Sequence, residues 1–259
     1  MTLSLALVAD FVLIMARTMA WLYAAPVFSD RGFPITARAT AALGMSFFLT
    51  PLLGPTGLST GTSAATSSVG SYLLLAAGQI AAGLVLGWVA TALLAAFEAA
   101  GSLIDLFSGF AVASLFDPQL GNQATVFSRF TRLLFVTLLF ATGAYQQLVT
   151  GFVLSFRAVP LTSMPAFAFD LDVVVGLVST MLLASLQIAA PVLGALFLTE
   201  ATLALAQRFA PTANMFLLGL PAKTLVTLVV LGSGLLFYPA FVDRLVRLSL
   251  SAGSTLLGG

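Results

Sequence analysis

The chain has 259 residues, of which 60% are hydrophobic and 7% charged, with a net charge of +1 and neither cysteine nor histidine. Soluble domains carry about 25% charged residues, and several apolar runs here exceed the roughly 20 residues that cross a bilayer as a helix, so the composition predicts an all-α membrane protein. The missing cysteine and histidine exclude disulfides, thiol nucleophiles and the commonest general base and metal ligand, and the net charge gives no case for nucleic-acid binding.

The first predicted element is an apolar helix over 3–25 that contains Asp10 and Arg17. These two charges lie seven residues apart, on one helix face. Ionisable groups are costly at membrane depth unless they face protein or water. They therefore lie either near opposite membrane surfaces or on a helix packed inside a larger bundle, which we favour. A shorter helix over 35–51 and an uncharged loop over 54–71, rich in Gly, Ser and Thr, follow.

A long third helix is predicted over 72–109. At 1.5 Å per residue it would measure about 57 Å, against a hydrocarbon core of roughly 30 Å. It must therefore tilt strongly, break or leave the bilayer. Gly83, Gly87 and Thr91 form a stripe of small residues that permits close helix contact, either within the chain or between chains.

Charged residues concentrate in the stretch 98–132, which lies between two uncharged runs. They are Glu98, Asp105, Asp117, Arg129 and Arg132. Asp117-Pro118 ends any helix, because proline disfavours α geometry in the preceding residue. If the chain doubles back there, Asp105, 12 residues before the turn, faces Arg129, 12 residues after it. An unpaired charge is costly at low dielectric, so we predict a helical hairpin framed by ion pairs among Glu98, Asp105, Arg129 and Arg132.

Three further elements complete the predicted order. The run 133–156 is long enough to cross a membrane as one helix, and a fifth helix over 173–209 is predicted to kink at Pro191. A last apolar helix is predicted over 224–242, and the amphipathic tail 243–250 is expected at a membrane surface. The connector before that last helix has three predicted breakers: Pro211, Gly219 and Pro221.

No motif for catalysis is present: the sequence lacks H-E-x-x-H, G-x-S-x-G and a phosphate loop. A dyad of carboxylates is the one enzymatic alternative, and we expect neither enzyme activity nor a metal or cofactor. A transporter or channel fits the broken helices and intramembrane charges, although the two halves show no matching pair of interrupted segments. The residues alone thus indicate a polytopic membrane protein with a functional polar hairpin.

Three segments, taken together in their order, resemble the FliR family of flagellar biosynthesis proteins and their injectisome counterparts. They are APVFSDRGFPITARA, with Arg17 upstream, then SLFDPQLGNQ, then APTANMFLLGLPAK. The combination of FDPQxGxQ at 116–123 with PxxNxFxxGxPxK at 211–223 carries the resemblance, which covers nearly the whole chain. These proteins are the T-type components of the type III secretion export gate. The resemblance implies a non-enzymatic gate component, flagellar rather than injectisome, in the bacterial inner membrane.

The resemblance also implies partners and an architecture. One copy of such a chain joins P-type and Q-type proteins, beside B-type and A-type export components, in an entry pore for unfolded secreted substrates. A P-like part over 1–160 would precede a Q-like helical hairpin over 161–259. Because the assembly stands partly out of the bilayer plane, apparent spans need not be transmembrane. The alternative is a polytopic transporter or channel acting on its own.

Particular residues acquire implied roles. A loop over 110–123 would plug the pore, because apolar bulk can seal a narrow channel and irregular backbone is tolerated where it lines a cavity. Its implied residues are Phe110, Leu115, Phe116, Asp117, Pro118, Gln119, Gly121 and Gln123. The implied assembly contacts are Arg17, Arg38, Asn214 and Lys223, the last two through helix capping and interhelical contact.

Overall fold

A computed structural model describes residues 5–28, 34–53, 69–110, 126–164, 171–209 and 215–256. Within these ranges the regular secondary structure is entirely helical, which confirms the all-α class. The helices are α1 (Leu5–Ala24), α2 (Ile35–Leu53), α3 (Val69–Ser108), α4 (Val126–Ala141), α5 (Ala144–Ala158), α6 (Leu171–Phe209), α7 (Met215–Gly234) and α8 (Tyr238–Leu256). Of the predicted loop over 54–71, its last three residues belong to α3, and 54–68 lie outside the described residues.

Among the described residues, three helices are long and apolar enough to cross a membrane, namely Leu7–Ala24 of α1, α3 and α6. The number rises to five if α4 with α5, and α7 with α8, each count as one bent span. The over-long third helix is confirmed: α3 runs unbroken for 40 residues, about 60 Å at 1.5 Å per residue. The fold is that of a polytopic helical membrane protein.

The prediction of one crossing helix over 133–156 is wrong. Helix α4 ends at Ala141, and α5 begins at Ala144. Gly143 adopts a φ of 72°, a left-handed conformation that glycine adopts at little cost and that commonly ends a helix. Its N–H donates to the carbonyl of Phe140 at 3.2 Å, which closes the last turn of α4. A single glycine therefore divides a run that carries no charge.

The predicted last helix over 224–242 is also wrong at both ends. Helix α7 begins nine residues earlier, at Met215, and contains Pro221 in its interior. A proline inside a helix removes one hydrogen bond but need not end the helix. The chain instead bends by 67° after Gly234, and α8 starts at Tyr238.

Close contacts divide the chain into two compact units. Unit 1 comprises Met1–Ala92, Ala144–Leu177 and Leu245–Gly259, and unit 2 comprises Leu93–Gly143 and Val178–Arg244. The P-like part over 1–160 and the Q-like part over 161–259 rest on the resemblance and stay a prediction.

In unit 1, the stripe of small residues on α3 packs against α1. A methyl group on Gly83 would collide with the backbone carbonyl of Arg17, and one on Gly87 would lie 2.6 Å from the Cβ of Ala24. The Thr91 hydroxyl donates to the carbonyl of the same Ala24. The stripe left open in the sequence thus serves a contact within the chain.

From Leu245 onward, the apolar side of α8 belongs to the core of unit 1. Leu256 packs with Val89 of α3 and Leu177 of α6, while Gly253 lies against Leu86. The amphipathic pattern of the tail is confirmed. Within the tail, Leu245 and Val246 are buried by protein, and its expected place at a membrane surface stays a prediction.

Candidate functional site

Helices α3 and α4 form the predicted hairpin in unit 2. Their contact is closest at Gly101, where a methyl group would collide with the Thr131 hydroxyl and approach the Cα of Ser128 within 2.5 Å. Phe97 and Phe135 pack one helical turn further from the connected end of the hairpin, with ring centroids 4.9 Å apart. The absence of a side chain at Gly101 allows the two backbones to touch.

Asp105 joins the end of α3 to the start of α4. Its carboxylate is buried, with the residue 1% exposed. One oxygen accepts from the N–H of Phe127 at 3.1 Å, and the other accepts from the N–H of Ser128 at 2.9 Å. The first N–H groups of a helix have no partner within the helix, and the helix dipole favours negative charge there. The Asp105 carboxylate therefore gives two of these N–H groups an acceptor, and the two hydrogen bonds stabilise its buried charge.

The structure gives Asp105 a different partner from the predicted one. Arg129 lies on an exposed position of α4, and the carboxylate contacts the backbone two residues before it. Counting residues from Asp117 does not fix which side of α4 faces α3, and a helix start offers two donors in a fixed geometry. The predicted Asp105–Arg129 pair is therefore replaced by a helix cap.

Glu98 and Arg132 do form an ion pair, with 3.2 Å between Oε1 and Nη1. Both side chains are about one-third exposed, so the pair is partly solvated and worth at most about 1 kcal/mol. The Ser102 hydroxyl donates to the carbonyl of Glu98 at 2.9 Å, and the Ser128 hydroxyl donates to it at 3.3 Å. The role of these residues as a frame for a plug stays a prediction.

The predicted plug begins directly after α3. Gly109 has a φ of 90°, and the next residue, Phe110, stacks edge-on against Phe127 with ring centroids 5.4 Å apart. A methyl group on Gly109 would lie 3.1 Å from Leu220 of α7. The other predicted plug residues lie outside the described residues: Leu115, Phe116, Asp117, Pro118, Gln119, Gly121 and Gln123.

The second family motif tethers α7 to α6. The Lys223 ammonium lies 3.1 Å from the Glu200 carboxylate, and Gly219 packs against Leu203. Lys223 thus makes an interhelical contact of the predicted kind. Its part in assembly is not tested by this contact, and Asn214 lies outside the described residues.

Arg17 is at the centre of unit 1, fully buried at 0% exposure. Its Nη2 donates to the carbonyl of Val159 at 2.8 Å, its Nη1 donates to the Ser155 hydroxyl at 3.4 Å, and the guanidinium lies 4.3 Å over the Phe156 ring. These groups belong to the last turn of α5 and the residue after it, where the helix dipole favours a cation.

This position decides between the two readings of the first helix. Asp10 is buried as well, so the helix is packed inside a bundle. Arg38, also buried, lies with its guanidinium 5.5 Å from the Tyr23 ring. Arg17 and Arg38 therefore have contacts within the chain, and their part in assembly stays a prediction.

The partners of Arg17 were missed by the sequence analysis. Ser155 and Val159 lie 138 and 142 residues further along the chain, and no spacing rule connects them with α1. The one local signal was the high cost of a guanidinium in an apolar run, which predicts that a partner exists but not which one.

In the part of the chain that the structure describes, no group of three His, Cys, Asp or Glu side chains could hold a metal ion. The most buried carboxylate of the hairpin, Asp105, is already engaged by backbone N–H groups. The polar residues of the hairpin thus hold helices together.

The hairpin contact can be tested at Gly101. We expect Gly101→Ala to lower the free energy of unfolding by about 1–3 kcal/mol, because the added methyl meets backbone as well as the Thr131 hydroxyl. Gly194→Ala in α6 is the matched control, since nothing lies within 4 Å of its added methyl. Unfolding of the detergent-solubilised chain, followed by helical circular dichroism, measures both. Equal stability of the two variants would contradict the close contact.

Fold and hairpin together define a polytopic helical membrane protein built around a capped, glycine-packed hairpin. A sequence profile of the family described as bacterial export proteins, family 1, matches residues 8–249, so the chain belongs to that family. This confirms the resemblance carried by the motifs.

Similar curated proteins come from both flagellar and Yop systems. The chain is 29% identical over 225 residues to the flagellar biosynthetic protein FliR of Bacillus subtilis, covering 85% of this chain and 84% of that protein. It is 35% identical over 163 residues to the Yop proteins translocation protein T of Yersinia pestis, covering 62% of each. FliR of Escherichia coli is 25% identical over 231 residues, covering 88% of this chain and 85% of that protein.

Proposed function

We propose that this chain is a non-enzymatic core component of a type III export gate in the bacterial inner membrane. With P-type and Q-type partners, and beside B-type and A-type components, one copy would help form the entry pore for unfolded secreted proteins. Membership in a family of bacterial export proteins supports this, and so do the names of the relatives. The longer match to flagellar FliR favours a flagellar system over an injectisome.

Within that gate, we propose that the segment after Phe110 plugs the pore. The observation that carries this part is the anchoring of the segment's two ends. Phe110 contacts Phe127 across 5.4 Å, and Asp105 binds the first N–H groups of α4. A segment whose two ends are held close together by α3 and α4 could block a pore and clear it again while these two helices stay in place.

Deletion of 114–123 tests the plug. We expect the complex to assemble but the membrane to leak ions and small solutes, because the apolar bulk of Leu115 and Phe116 is removed while the Asp105 cap is kept. Assembly is measured by co-purification with the P-type and Q-type proteins, and leakage by dye or ion flux across membrane vesicles. A replacement of 114–123 by the same residues in shuffled order is the control for length and composition.

Two results would contradict the proposal. Vesicles with the deletion that stay as tight as wild type would rule out the plug. A chain that purifies from its native membrane as a monomer or symmetric oligomer, without P-type and Q-type partners, would indicate a transporter or channel acting on its own.

A further inference from the structure

Helix α7 packs against α6 through one face of its first turns. The Lys223 ammonium lies 3.1 Å from the Glu200 carboxylate, and a methyl group on Gly219 would lie 3.5 Å from Leu203. Gly219 and Lys223 are four residues apart, so they share this face. The later residue of α7 contacts the earlier residue of α6, so the two helices run antiparallel here. Helix α6 thus holds the beginning of α7 in place.

Leu220, on the adjoining face of α7, contacts the residue that follows α3. Its Cδ2 atom lies 3.1 Å from the position of a methyl group on Gly109. Among the described residues, nothing else beyond the chain neighbours of Gly109 lies within 4 Å of that methyl position. Gly109 has a φ of 90°, a conformation that favours glycine, so its backbone is bare at this point and the Leu220 side chain rests directly on it.

The same end of α3 is bound to α4 by Asp105, which accepts from the first N–H groups of that helix, and by the ring of Phe110. These contacts join the two helices of the hairpin to each other and not to the other helices of unit 2. Two side chains of the last turn of α3, Leu106 and Phe107, are exposed. The contact of Leu220 therefore links the connected end of the hairpin to α7, and through α7 to α6.

We infer that Leu220 is a positioning residue, which fixes the end of α3 and thereby the place at which the chain leaves this helix. A gap of about 0.5–1 Å forfeits a quarter to a half of a van der Waals contact, so movement of this end away from α7 is opposed. The second family motif, over 211–223, thus supports the segment that contains the first, over 116–123. For the pore, this rests on the proposed function: if the segment after Phe110 is a plug, Leu220 sets the position of its base.

Leu220→Ala tests the inference by hydrogen exchange, which measures how often the last turn of α3 opens. Leu218→Ala is the matched control, because Leu218 is an exposed leucine two positions earlier, on the opposite side of α7. In the purified full-length chain, we expect the amides of 106–110 to exchange about fivefold faster in Leu220→Ala than in wild type. Leu218→Ala and the volume-conserving Leu220→Met are expected to exchange as wild type does. Equal exchange in the two alanine variants would overturn the inference.

The consequence for the pore is measured separately, by dye flux across vesicles that carry the chain with its P-type and Q-type partners. We expect Leu220→Ala to leak more than Leu218→Ala and less than the deletion of 114–123, with co-purification unchanged. A deletion that leaks beside a Leu220→Ala variant as tight as wild type would refute the positioning of the plug and leave the plug itself standing. If the deletion also stayed tight, the plug would be wrong, and exchange at 106–110 would decide alone whether Leu220 fixes the end of α3.

Discussion

Replacing Asp105 by alanine is expected to lower the free energy of unfolding by about 2–4 kcal/mol. The substitution leaves the N–H groups of Phe127 and Ser128 buried without their acceptors and removes the charge that complements the start of α4. Asp105→Asn keeps the shape and one good acceptor, so we expect about half of the loss. Denaturant unfolding of the detergent-solubilised chain measures both.

The control for Asp105 is Asp172→Ala. Asp172 also lies in the first turn of a helix, α6, but it is exposed, so its removal is expected to cost less than about 1 kcal/mol. If Asp105→Ala and Asp172→Ala unfolded alike, the capping role would be refuted. If the loss caused by Asp105→Arg were recovered by adding Arg129→Asp, the predicted Asp105–Arg129 ion pair would be the better account.

Replacing Arg17 by alanine is expected to cost about 3–5 kcal/mol, since a large and fully buried side chain leaves a cavity. The carbonyl of Val159 also loses its donor. Relief from burying a guanidinium offsets part of this loss. Arg17→Met keeps most of the volume and removes the charge, so its loss is expected to be smaller than that of the alanine variant.

Arg157→Ala is the control for Arg17, because Arg157 lies in the same last turn of α5 but is exposed. We expect its free energy of unfolding to stay within about 0.5 kcal/mol of wild type. The measurement is the same denaturant titration. An Arg17→Met chain more stable than wild type would show that the guanidinium is retained at a cost to stability, and the capping of α5 would then not explain its presence.

The sequence predicted the hairpin but not its chemistry. The charges of Glu98 and Arg132, between two uncharged runs, predicted ion pairs in the hairpin, and in the structure these two side chains form one. The partner of Asp105 could not be predicted by counting from a turn, because its carboxylate binds free N–H groups in the first turn of α4, which every helix start offers whatever its side chains. Which side of a helix faces its neighbour is decided by packing, here by Gly101.

The sequence also predicted the helices better than it predicted where they begin and end. The apolar runs predicted that helices exist, yet Gly143 ended one inside an uncharged run, and Pro221 did not end another. Pro221 lies inside α7, so the loss of one backbone hydrogen bond did not end that helix.

The sequence by itself determined the helical membrane class, because charges are few and the apolar runs are long enough to cross lipid as helices, whose backbone hydrogen bonds are satisfied internally. Its motifs determined the family. Only the tertiary structure decided where the buried charges go, since the partners of Arg17 and Asp105 are a carbonyl, a hydroxyl and backbone N–H groups. Backbone carbonyl and N–H groups occur along the whole chain and serine hydroxyls at many positions, so no pattern of residue types could have singled these partners out.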